Sequence, residues 1–310
     1  MLNLDNLRGI FVAVPIAARP NGSFIEEDYR ADIRSLCGSG VHGIYTSGTT
    51  GEWYALDEKE FQWMVEVFLE ETRPFHTLTQ IGCGGLNTSA TLNRVRTAVR
   101  GPLRPDGVQV LLPCWQPLTN DEITDFFKAV ADAADGVPLT HYNTLRAKRL
   151  LAEKEYEQIL HSVPTLIGSK TLNYLIPEVV RLLRAGLPMN HFIGSEANLV
   201  ATTIWGSKGV YSDCANYWPK ACVELFELCK ARKWSDAIQL QERFIAFELE
   251  GEAPLEGRGY TDAGWDKGKA EAAGFLRCKR YLRPPHSAMK DEDIEHLRAV
   301  GNKYFGSWMK

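Results

Sequence analysis

Three hundred and ten residues hold one large domain or two ordinary ones, and 45% apolar with 24% charged residues excludes a disordered or collagen-like chain. Lys plus Arg is 35 against 39 Asp plus Glu, a formal charge of −4, which argues against nucleic acid and anionic membrane as partners because both require clustered positive charge. No apolar run is long enough to cross a bilayer, and the opening MLNLDNLRG lacks a basic stretch followed by an apolar core, so neither a membrane span nor an export signal is expected and the chain reads as cytoplasmic. The seven cysteines are odd in number, widely spaced and without a CxxC, which reads as buried thiols in a reducing compartment rather than a zinc site.

In chain order, Gly9–Ile16 (GIFVAVPI) predicts a strand, and Ile25–Cys37 places Ile25, Tyr29, Ile33, Leu36 and Cys37 on one helical face. His42–Thr46 predicts a second strand ending in Gly48-Thr49-Thr50-Gly51-Glu52. Asp57 with Glu60 three residues on signals a helix start, and Phe61, Met64, Val65, Phe68 and Leu69 continue that helix as an apolar stripe. Further strands are expected at Thr77–Gly82, Gly107–Leu112, Val137–Tyr142, Pro164–Lys170, Asn190–Gly194 and Lys208–Ser212. Helices fall between them, one capped by Thr119 and Glu122. Most spacings match one strand plus crossover helix, about 30 residues. Eight such units predict a (β/α)8 TIM barrel. The rival, an open doubly wound sheet, lacks its glycine-rich phosphate turn after the first strand. The barrel is expected over residues 1–225. Residues 226–310 are expected to form a C-terminal helical extension packed on it, without clustered reactive groups of its own. Trp218–Lys230, Ser235–Leu249, Lys267–Phe275 and Asp291–Phe305 read as helices, and Glu252–Gly264 as a glycine-rich connection.

Barrel enzymes keep their reactive groups at the C-terminal ends of strands. Lys170 closes a strand that should be buried on both faces. There it loses hydration, its pKa should fall, and a neutral amine could attack a ketone to form a Schiff base. The alternative is a lysine snorkelling from the barrel mouth or paired with a carboxylate. Tyr142, one βα unit earlier, could shuttle protons over the same mouth, or be a core tyrosine with a satisfied hydroxyl. The turn at 48–52 offers backbone N–H groups and the hydroxyls of Thr49 and Thr50 to a carboxylate, or needs its glycines only for a tight turn. A carboxylate cradle, a phenol and a buried lysine at one mouth together describe a site for a 2-oxo acid.

These residues resemble the N-acetylneuraminate lyase and dihydrodipicolinate synthase family of class I Schiff-base enzymes, over most of the chain from about Gly9 to the C-terminal helices. The resemblance implies that Lys170 forms the imine, that Tyr142 shuttles protons, and that Thr49 and Thr50, in the turn begun by Gly48, hold the substrate carboxylate. It implies a homo-oligomer, dimer or tetramer, with a small 2-oxo acid as ligand and no cofactor or metal. Ser195, Glu196 and Asn173 lie near the mouth and are candidates for substrate hydroxyls, Glu196 having the alternative of a solvent-facing helix start. By the family's strand-8 pattern, Tyr211 would contact the imine region through its backbone carbonyl.

Two departures bear on the substrate. Dihydrodipicolinate synthases carry an arginine five residues after the strand-5 tyrosine, where this chain has Ala147 with Arg146 one place early. They also carry paired tyrosines after strand 4, where this chain has Cys114 and Trp115. Neither thiol nor indole replaces a phenolic proton carrier. The leading expectation is therefore a lyase that dehydrates or cleaves a 2-keto-3-deoxy sugar acid. The alternatives are dihydrodipicolinate synthase, condensing pyruvate with aspartate semialdehyde, and a non-catalytic 2-oxo acid sensor. Arg146, Lys148 and Arg149 could meet an acidic distal group or form solvated loop surface.

Overall fold

In the computed structural model, which describes residues 1–172 and 175–308, eight short strands form one parallel sheet in the order β7-β6-β5-β4-β3-β2-β1-β8. They are β1 (Gly9–Ala13), β2 (Gly43–Thr46), β3 (Leu78–Gly82), β4 (Gly107–Val110), β5 (Leu139–Asn143), β6 (Leu166–Thr171), β7 (Asn190–Ile193) and β8 (Gly209–Ser212). Every expected strand is present, mostly shortened at its ends. The sheet curls nearly closed: β1 pairs with β8, and Lys208 N–H donates to the His191 carbonyl at 2.9 Å between β7 and β8. At the β1–β8 seam Gly209 has φ +148°, and a Cβ there would lie 2.0 Å from the Gly9 carbonyl oxygen, so the strands approach too closely for a side chain.

Alternation along each strand divides the core into two layers. In β1, Ile10 and Val12 face outward into the apolar layer between strands and helices. Phe11 and Ala13 face inward with Leu2, Leu7, Tyr45, Phe192 and Tyr211, filling the barrel interior. The outer ring is α1 (Glu26–Cys37), α2 (Glu58–Thr72), α3 (Thr88–Val99), α4 (Asn120–Ala133), α5 (Glu153–Leu160), α6 (Ile176–Arg184), α7 (Leu199–Trp205) and α8 (Pro219–Lys230). The capping boxes at Asp57/Glu60 and Thr119/Glu122 both form, which fixes where α2 and α4 begin.

After α8 the chain forms a helical extension with α9 (Trp234–Phe247), α10 (Asp262–Ala273) and α11 (Asp291–Phe305). Helix α10 begins five residues before the expected start at Lys267. The Thr261 hydroxyl caps it by accepting from Gly264 N–H, so Gly264, which read as the end of a connection, lies inside the helix. Small residues let α10 pack closely: a Cβ on Gly268 would lie 2.6 Å from the Met289 sulfur. Trp218, just before α8, stacks on Phe305 of α11 with ring centres 4.0 Å apart, joining the extension to the barrel's last helix.

Candidate active site

The register of β5 and β6 pairs Tyr142 with Lys170 on adjacent strands, and both side chains reach the cavity at the C-terminal end of the barrel. The Lys170 amine sits 4.6 Å from the centre of the Tyr142 ring, 5.6 Å from Tyr45 and 5.8 Å from Tyr211. It also donates to the Tyr45 hydroxyl at 3.1 Å. Such a box of phenol rings attracts a cation.

The charge expected for Lys170 is therefore corrected. Burial disfavours the ammonium, but Tyr45, Tyr142 and Asp266 outweigh it and hold the amine above the ordinary lysine range. The strand alone indicates desolvation; the compensating groups come from other strands and from the extension. Tyr45 itself is pushed above the usual phenol range, chiefly by burial.

The 48–52 turn leaves β2 through Ser47 and ends at Glu52, both left-handed with φ 58° and 47°. Thr49 and Thr50 line the cavity, and the Thr50 hydroxyl donates to Asp266 Oδ2 at 2.5 Å. Gly48 does not line it. A Cβ there would lie 2.6 Å from the Tyr45 ring, so Gly48 makes room for that ring. Glu52 points the other way, into a wholly buried ion pair with Lys267 of α10 at 2.5 Å, and accepts a further bond from Arg283 N–H. One turn thus faces the cavity and anchors the extension.

The extension is not chemically bland. Asp262, Trp265 and Asp266 of α10 line the cavity of about 250 Å³ above Lys170, together with Glu252. Asp213, at the end of β8, lines it too and pairs with Lys269 of α10 at 2.7 Å; Lys269 also reaches Glu252 at 3.1 Å. Burial alone would raise Asp213, yet Lys269 brings it below the usual carboxylate range. Burial and the neighbouring Asp213 push Asp266 up to about 7. Sequence patterning misses this wall because α10 buries charged residues that a surface helix would show to water. Tyr45 is missed as well, although the same inward alternation that places Lys170 would have found it.

Of the other expected site residues, Ser195 lines the cavity. Glu196 does not; it is 1% exposed, behind the wall next to Asp213, so it neither faces solvent nor meets the cavity. Burial and Asp213 push its carboxyl up to about 7. Tyr211 enters with its side chain, whose hydroxyl donates to Gln80 on the barrel floor at 2.9 Å. Asn173 lies outside the described residues. Asn143, the last residue of β5, clamps Leu151 through both amide atoms at 2.8 Å. Arg149 is tied to Glu155 and the Leu118 carbonyl, while Arg146 pairs with Asp262 at the cavity rim.

Eight βα units curled into a nearly closed barrel, with reactive side chains gathered at the strand ends, define a TIM-barrel enzyme. The family model for the dihydrodipicolinate synthetase family matches residues 6–249; the chain belongs to that family and is a lyase. It is 28% identical over 245 residues to a 4-hydroxy-tetrahydrodipicolinate synthase of Methylobacterium radiotolerans, covering 79% of this chain and 80% of that one. Among solved structures it is similar to YagE of E. coli K12 in complex with pyruvate, at TM-score 0.86, 18% identity and coverage of 96% and 98%. It is also similar to the Ruminococcus gnavus sialic acid aldolase catalytic lysine mutant, at TM-score 0.87, 18% identity and coverage of 99% and 100%.

Proposed function

We propose that this lyase joins Lys170 to a 2-oxo acid as an imine and breaks a bond at C3 of a 2-keto-3-deoxy sugar acid, by dehydration or retro-aldol cleavage. The observation that carries this reading is the Lys170 amine within the cavity, bonded to Tyr45 and lying over the Tyr142 ring. An ammonium and a ketone give a protonated imine and one water, with no net proton exchanged. The proton must leave nitrogen before attack and reach the departing oxygen, and Tyr45 and Tyr142 are the phenols placed to carry it. The imine then draws electrons from C3, so either a C3 proton or the C3–C4 bond is released.

The outer wall supports a hydroxylated substrate. Asp213, Glu252 and Asp262 offer acceptors to hydroxyl groups, and Trp265 offers an apolar face. The same carboxylates would repel a second substrate carboxylate, which weighs against condensation with aspartate semialdehyde. Arg146, the charge that could have offset them, is engaged by Asp262. Trp115, where that reading needs a phenol, is 82% exposed. A sensor would have no use for a boxed amine and its adjoining phenols.

Treatment with pyruvate and borohydride should fix an adduct on Lys170, located by peptide mass, and Lys170→Ala should abolish it. An adduct elsewhere, or none, removes the reading. Mass spectrometry over 2-keto-3-deoxy pentonates and hexonates then separates loss of water from release of pyruvate. We further propose a cytoplasmic homo-oligomer, dimer or tetramer. Exposed Leu86, Trp115 and Leu145 in the loops after β3, β4 and β5 support it, and a monomer by light scattering would count against it.

A further inference from the structure

The Thr50 hydroxyl has one hydrogen, and it points to Asp266 Oδ2 at 2.5 Å. While Asp266 is ionised, the carboxylate of a bound 2-oxo acid would meet only lone pairs on the Thr50 hydroxyl. Two anions would then compete for one donor inside a buried wall, Asp266 being 7% exposed. With a proton on Asp266 the bond reverses: the acid donates to Thr50 Oγ1, and the Thr50 hydrogen turns toward the ligand.

We propose that Asp266 is a positioning residue of the carboxylate cradle, taking up one proton from solvent whenever Thr50 donates to the carboxylate of a bound 2-oxo acid. This rests on the reading that the mouth receives such an acid. The proton adds to the Asp266 carboxylate to give the neutral acid, and no other group need change charge, because imine formation from an ammonium is proton-neutral.

The groups around Asp266 fit this assignment. Tyr217 Oη, ahead of α8, approaches its Oδ1 at 3.4 Å. Tyr45 of β2, Lys170 of β6, Asp213 at the end of β8, and Asp262 and Lys269 on its own helix are further charged and titratable groups around it. Lys269, the cation on that helix that acts on Asp266, is bonded to Asp213 and Glu252 instead. Burial and Asp213 together leave Asp266 titrating at about 7, so one added hydrogen bond is enough to tip it.

Calorimetric titration of the whole chain with pyruvate at about pH 8, in buffers of different protonation enthalpy, reads the proton directly. Close to one proton per pyruvate is expected for the native chain and almost none for Asp266→Asn, whose amide donates to Thr50 at every pH. Native affinity should fall about tenfold per pH unit above ~7, while that of Asp266→Asn stays level. A second variant, Thr50→Val, should bind more weakly throughout and without uptake. Zero uptake in the native chain, or equal uptake in Asp266→Asn, overturns the proposal. Borohydride reduction of the same samples keeps the two readings apart. Uptake without a Lys170 adduct upholds the role of Asp266 and removes the imine; an adduct without uptake does the reverse. Pyruvate that does not bind at all overturns both.

Discussion

Lys170 has its position from the strand and its charge from the neighbours. Tyr45 is one of the groups that hold its amine above the ordinary range. Tyr45→Phe removes that hydroxyl while keeping the ring in the barrel interior, so the midpoint for borohydride trapping should move down by roughly one pH unit. An unmoved midpoint would show that Tyr45 does not act on the amine. Glu196 gives a second case. Neither of its oxygens meets a hydrogen-bond partner at normal geometry, and its carboxyl is pushed up to about 7. An unfolded glutamate titrates near ~4.3, so below that pH both states carry the proton and the group costs nothing. Between there and about 7 the unfolded chain releases the proton while the folded chain keeps it, so stability falls across that window by up to ~4 kcal/mol and is level above it. Glu196→Gln should therefore raise stability at about pH 8 and leave it unchanged near pH ~4, read as Tm at the two values. Lys170, Tyr142, Thr49 and Thr50 were legible because strand ends in a barrel meet at one mouth. The proton on Lys170 was not, since it depends on phenols from other strands and an aspartate 96 positions later in the chain.

At the scale of elements, the strands and the capped helices could be read locally. The boxes at Asp57/Glu60 and Thr119/Glu122 are complete within four residues, and short β-branched runs mark the strands. Helix α10 could not be read that way. It is placed by Lys267, whose partner Glu52 lies 215 residues away in the turn after β2. Lys267→Met would leave Glu52 charged at a wholly buried position. We expect a loss of roughly 3–5 kcal/mol in denaturant unfolding, partly restored by adding Glu52→Gln. A loss below ~1 kcal/mol would mean that water reaches the pair. Because Asp266 precedes Lys267 on the same turn, the single variant should also weaken pyruvate binding.

Across the whole molecule the extension returns to the barrel at several places. Asp32 of α1 accepts from the N–H groups of Arg277 and Cys278, Arg283 grips Glu60 of α2, and Phe305 stacks on Trp218. The barrel and the extension should therefore unfold together. Phe305→Ala empties a wholly buried position, and we expect about 3–5 kcal/mol of destabilisation with one coincident transition by tryptophan fluorescence and by circular dichroism. Two separated transitions would show that the extension detaches on its own. The eightfold beat made the barrel readable from the chain. The docking of the last helices was not readable, because it rests on contacts between residues far apart in sequence.

Helix α10 forms one side of the opening above Lys170, although it stands outside the repeating barrel units. On the proposed reading, bond making and ligand sorting fall mostly to separate stretches of polypeptide. Changes in that terminal stretch away from Asp266, which acts on the amine, should retune which molecules are admitted while leaving the charge of Lys170 in place. Exchanging it between relatives of this architecture should transfer preference along with it.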